Sequence, residues 1–119
     1  MLGELENAIM RVLWSANEPL TVRAVFEVLS RERQLAYTTV MTVLDRLAKK
    51  GKVQRKQEGR AWIYVPAATQ SSLIVAEMEG LIAEAGDEAN VVLAQFVEGL
   101  AHPQRVHVER VLKALQQPV

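Results

Sequence analysis

Between Thr38 and Arg60 the chain sets out hydroxyls and then cations in an order that suits a DNA groove. Thr38, Thr39 and Thr42 are short, and their hydroxyls and methyls can meet base edges or thymine methyls. Arg46 follows Thr42 by four residues and Thr39 by seven, so the three share one helical face. It is long enough for a bidentate bond to guanine or a clamp on a phosphate. Lys49, Lys50, Lys52, Arg55 and Lys56 come next. Such cations bind phosphates, which position a protein on a duplex without reading its sequence. Arg60, beside Gly59, suits a minor groove or its rim.

Other chemistry is thinly represented. Glu98, His102, His107 and Glu109 could be assembled into a metal site on paper, but the histidines are five apart with Pro103 between them, a poor spacing for one helix face. No Ser–His–Asp set, Gly-rich phosphate loop or acid/base carboxylate pair stands out, so neither an enzyme nor a cofactor is expected. With no cysteine, disulfides, thiolate zinc sites, iron–sulfur clusters and a cysteine nucleophile are excluded.

The elements that must position these residues follow from periodicity. Leu2, Leu5, Ile9, Val12 and Leu13 predict a helix over about residues 3–15, broken by Asn17-Glu18-Pro19. Thr21 is placed to cap a second helix with Val22, Val25, Phe26 and Leu29 inward. Thr38 or a neighbour caps a third, with Val40, Val43, Leu44 and Leu47 inward and Gly51 as its stop. The period then shortens. Residues 53–56 and 60–65 read as strands around a Gln57-Glu58-Gly59 loop. Trp14 is expected in the core, as is Trp62, whose other roles would be to stiffen the hairpin or anchor it to the helices. The order of three helices and a hairpin predicts a mainly α protein built on a winged helix-turn-helix over residues 1–66.

Residues 67–119 predict a helical region with breaks at Gly86-Asp87 and His102-Pro103. Its apolar stripes leave more greasy surface than a small winged domain can cover, which predicts burial against a second copy. Ile74, Met78, Leu81, Val92, Phe96, Leu112 and Leu115 are the expected dimerisation contacts. The charge is divided in the same way. Up to Pro66 the chain has 11 basic and 7 acidic residues, a net +4, and the remainder has 3 and 7, a net −4. The first residues show neither the basic stretch nor the apolar run of a signal peptide, and no apolar run approaches membrane-spanning length. A cytoplasmic protein without membrane insertion is therefore expected.

The run from Ala36-Tyr37-Thr38-Thr39-Val40 to Asp45-Arg46-Leu47-Ala48-Lys49-Lys50-Gly51 resembles the recognition helix of the BlaI/MecI penicillinase-repressor family. Leu5-Glu6 through Leu13-Trp14, Thr21-Val22-Arg23, Arg60 to Tyr64 and Phe96-Val97-Glu98 match as well, so the resemblance covers nearly the whole chain. It implies a homodimeric winged-helix repressor on a pseudo-palindromic DNA operator with TACA/TGTA half-sites, and an antibiotic response. It places Thr38, Thr39, Thr42 and Arg46 on DNA. It also implies a membrane-bound sensor metalloprotease system that leads to cleavage in the dimerisation helices, before a Phe that follows Asn. The matching bond here is Gln95-Phe96, with Gln in place of Asn. The copper-responsive relatives use a cysteine cluster that this chain lacks. Two other readings stand beside repression: a winged-helix regulator that senses a small molecule in its helical dimer region, and a winged-helix module for protein–protein contact. The basic third helix and hairpin argue against the latter.

Overall fold

A computed structural model describes residues 2–118. Its elements are α1 (Glu4–Ala16), β1 (Leu20–Thr21), α2 (Val22–Ser30), α3 (Tyr37–Lys49), β2 (Val53–Glu58), β3 (Ala61–Pro66), α4 (Gln70–Ala85), a 3-10 turn (Gly86–Glu88), α5 (Ala89–Glu98) and α6 (His102–Gln116).

Local chemistry sets most of the boundaries. The Gly3 N–H donates to Glu6 Oε1 at 3.1 Å and opens α1, and Asn17 closes it in the left-handed region at φ 55°, which Asn tolerates. Thr21 Oγ1 accepts from the Ala24 N–H at 3.1 Å and caps α2, as expected. The third helix starts differently. Its cap is Ala36, with no side-chain cap, and Thr38 lies already inside the first turn. The helix thus starts two residues before a Thr38 cap would begin it, at Tyr37, whose ring meets Phe26 edge-on at 5.6 Å and carries the Arg23 guanidinium at 5.2 Å. Gly51, at φ 75°, ends α3: its N–H bonds Ala48 O at 3.1 Å, and the Lys52 N–H bonds Leu47 O at 2.9 Å. This pair of bonds is a Schellman motif.

The sheet is antiparallel, in the order β1-β3-β2. The hairpin is longer than its sequence suggests. Gln57 pairs with Trp62 and Glu58 with Ala61, which leaves Gly59-Arg60 as a two-residue loop. Gly59, at φ 62°, takes the first loop position, where a positive φ is needed.

The core is fully apolar. Ile9, Met10 and Leu13 of α1, Val25 of α2, and Val40, Leu44 and Leu47 of α3 are almost wholly buried, and Val53 and Tyr64 close it from the sheet. Trp14 is half-buried against it, with its indole N–H donating to Ala68 O at 3.0 Å. Trp62 is not core, contrary to expectation: it is 43% exposed. Burial along β2 stops after Val53, so a side chain two positions beyond Tyr64 toward the hairpin tip has no helix over it.

Two compact units divide between Glu77 and Met78, inside α4. The first holds the three helices, the sheet and the start of α4, from which Leu73 packs on the core. The second holds the rest of α4, α5 and α6. Thr69 Oγ1 caps α4 through the Ser72 N–H at 3.1 Å. Pro103 lies in the first turn of α6, where its missing N–H costs nothing. None of α4, α5 or α6 has a buried residue. No described helix is long and apolar enough to cross a membrane.

Candidate nucleic-acid interface

The third helix separates its faces cleanly. Val40, Val43, Leu44 and Leu47 are buried, while Thr38, Thr39, Thr42, Arg46 and Lys49 are exposed on the other side. The apolar stripe anchored in the core forces this polar stripe outward. Met41, 44% exposed, stands among these side chains. It falls outside the buried stripe of 40, 43, 44 and 47, and that was the signal by which its outward position could have been found. A bare thioether there can meet a thymine methyl.

The cations differ in what holds them. Arg46 is exposed and makes no ion pair among the described residues. Lys49 Nζ lies 3.0 Å from Asp45 Oδ2, one turn back, yet its side chain is 74% exposed. Lys50 turns the other way, to Glu6 Oε2 of α1 at 2.8 Å. Arg55 of β2 reaches across to α3, where Nη1 donates to Asp45 Oδ1 at 2.8 Å, and its guanidinium lies over the Trp62 ring at 4.9 Å. Lys56 and Arg60 are exposed on the hairpin, Lys56 on the opposite sheet face from Arg55.

The carboxylates respond to these cations. Asp45 is held below its ordinary pKa, first by Lys49 and then by Arg55. Glu6 is lowered by the Lys50 ammonium and then by the Gly3 N–H. The Arg55 guanidinium is raised, first by Tyr64 and then by Asp45. The i,i+4 spacing of Asp45 and Lys49 on the groove-facing side of α3 is visible in the sequence; the reach of Arg55 to Asp45 from the hairpin is not.

In the second unit, Met78, Leu81, Val92, Phe96, Leu112 and Leu115 are exposed, by 41% to 76%, and Ile74, earlier on α4, is 49% exposed. The Gln95-Phe96 bond lies inside α5, with both side chains exposed. Beside it, Phe96, Leu100, Pro103, Gln104, His107 and Val108 line an open depression of about 430 Å³. Phe96 in its wall is also an expected dimer contact. Among the described residues no three His, Asp or Glu side chains converge as metal ligands.

The family model described as penicillinase repressor matches residues 2–117. The transcriptional regulator BlaI of Mycobacterium tuberculosis (strain H37Rv) is 44% identical over 117 residues, covering 97% of this chain and 85% of the relative. A solution structure of the DNA binding domain of the repressor BlaI is 30% identical, with a TM-score of 0.54, over 60% of this chain and 85% of that one. The Bacillus licheniformis BlaI monomeric form, solved in complex with the blaP half-operator, is also 30% identical over the same shares, with a TM-score of 0.52.

Proposed function

The chain belongs to the penicillinase repressor family, and from that premise we propose that it is a homodimeric transcriptional repressor that docks α3 in the major groove of a pseudo-palindromic operator. The observation that carries this reading is the outward face of α3, where Thr38, Thr39, Thr42 and Arg46 stand exposed above a buried apolar stripe. Short hydroxyls let the helix approach base edges, and Arg46, without an ion pair among the described residues, can reach a guanine or a phosphate. Lys49 stands exposed on that face, and Lys56 and Arg60 are exposed on the hairpin. Arg55 stacks on Trp62 and stiffens the hairpin beside it. A relative solved on a half-operator supports DNA as the ligand.

Residues 1–66 bind DNA in this reading, and residues 67–119 dimerise. Ile74, Met78, Leu81, Val92, Phe96, Leu112 and Leu115 expose apolar surface that a second copy would cover. The operators carry TACA/TGTA half-sites and lie in the cytoplasm, where the protein acts. Repression ends when the dimer is lost. A membrane-bound sensor metalloprotease system acts through the Gln95-Phe96 bond, and a cut there divides α5 in the middle of the apolar surface.

The test is fluorescence anisotropy of the full chain on a duplex with TACA and TGTA half-sites and on a scrambled duplex, at about 50 and about 200 mM salt. The operator is expected to bind at least about 10³-fold tighter. Log K should fall with log salt by about 0.9 per phosphate contact. Equal affinity for the two duplexes would overturn the reading.

A further inference from the structure

Asp45 is the only carboxylate between Glu32 and Glu58, in the most basic stretch of the chain. It lies three residues beyond Thr42 and seven beyond Thr38, on the edge of the stripe that faces outward. A carboxylate at that place repels phosphates. It also engages two cations at once, Lys49 Nζ at 3.0 Å and Arg55 Nη1 at 2.8 Å. One of them comes from its own helix and the other from the hairpin. The Arg55 guanidinium is fixed further by the Trp62 ring beneath it. The three groups carry a net charge of +1, where the two cations alone would carry +2.

We propose that Asp45 is a specificity-determining residue: by holding Lys49 and Arg55 in an ion triad, it weakens binding to arbitrary DNA more than binding to the operator. The inference rests on the repressor reading above. Non-specific binding is almost entirely electrostatic, so each cation withheld from the phosphates registers in full there. On an operator, base contacts from Thr38, Thr39, Thr42 and Arg46 fix α3 in one register, in which Lys49 and Arg55 stay on Asp45, so removing the carboxylate frees the two cations for phosphates chiefly on arbitrary DNA, where no register is fixed. The carboxylate also ties the hairpin to α3, so the two reach the duplex in one fixed relation.

The experiment compares the full-length wild type with Asp45→Asn, Asp45→Glu and Glu4→Gln on operator and scrambled duplexes across a salt series. Asn keeps the shape and removes the charge. Glu4→Gln makes the same change in net charge at an exposed pair with Arg33, away from α3. Asp45→Asn is expected to bind the scrambled duplex about tenfold tighter, with its salt slope steeper by about one, and to change operator affinity less than about threefold. Asp45→Glu is expected to keep the wild-type ratio, and Glu4→Gln to leave both affinities in place. The inference is overturned if Asp45→Asn matches Glu4→Gln, which would make the effect one of net charge alone. It is overturned equally if Asp45→Asn weakens both duplexes alike with a lowered melting temperature, the mark of a purely structural role. Unchanged binding in every variant would overturn it as well, since the triad would then dissolve in water as exposed pairs often do. A wild type without operator preference would instead overturn the repressor reading and this inference with it.

Discussion

Glu6 serves two partners with one carboxylate: Oε1 accepts the Gly3 N–H that opens α1, and Oε2 takes the Lys50 ammonium at the end of α3. Both interactions favour the ionised form, and the carboxyl lies below its ordinary pKa, with Lys50 the larger cause. A carboxylate depressed by folding stabilises the protein fully above its unfolded value and loses that contribution as pH falls through the folded value. Glu6→Gln is therefore expected to lower stability near pH 7 by about 1 kcal/mol or less. The deficit should shrink to nothing as the pH drops below the lowered pKa, and melting curves at about pH 7 and about pH 3 would check it. A constant deficit at both pH values would mean that packing, not charge, is at work. Only part of this wiring is legible in the sequence. The Asp45–Lys49 pair has helical spacing, whereas Lys50 and Glu6 stand 44 residues apart and meet only because α1 and α3 pack on one core. The sequence thus offers Lys50 and Arg55 as cations for phosphates, and folding gives each a carboxylate partner first.

Among the elements, the helices were the most readable because their apolar stripes repeat over several turns. Leu44 shows what such a stripe secures: it is fully buried, in the helix that presents Thr42 and Arg46 outward. Leu44→Ala is expected to cost about 2–5 kcal/mol in urea unfolding, with the slope unchanged. A loss under about 0.5 kcal/mol, ordinary for a surface site, would contradict the packing described. Short elements were harder to read. Two residues, Leu20 and Thr21, cannot show an alternating pattern, and β1 exists because Leu20 pairs with Tyr64 and Thr21 with Ile63, more than 40 residues on. The same Thr21 is legible as the cap of α2, and the structure gives it a second role in the sheet. Trp62 departs from the expected core position for a related reason. Period-two alternation puts it on the same sheet face as Tyr64, but alternation does not reveal where along the strand the covering helices stop.

At the scale of the whole molecule, the surplus apolar surface from Ile74 to Leu115 is legible from the apolar stripes in the sequence, and no residue of α4, α5 or α6 is buried in the single chain. Which copy covers which stripe is a property of two chains and is not encoded in periodicity. If Phe96, 53% exposed in one chain, is buried by a second, Phe96→Asp should shift the full-length protein from dimer to monomer in sedimentation at micromolar concentration. An undisturbed dimer would remove Phe96 from the interface. A chain cut at Pro66 is a poorer test, because it also deletes Ala68, which takes the Trp14 indole, and Leu73, which packs on the core. The most direct test of α3 in the groove is Arg46, exposed, without an ion pair among the described residues, and on one face with Thr39 and Thr42. Binding of full-length wild type and Arg46→Ala to the operator and to a scrambled duplex, at one salt concentration, decides the matter. The expected result is a loss of about 1–3 kcal/mol on the operator: even across sequences if Arg46 clamps a phosphate, relaxed at one position of each half-site if it reads guanine. Wild-type affinity for both duplexes would take Arg46 off the DNA and contradict the placement of α3 in the groove.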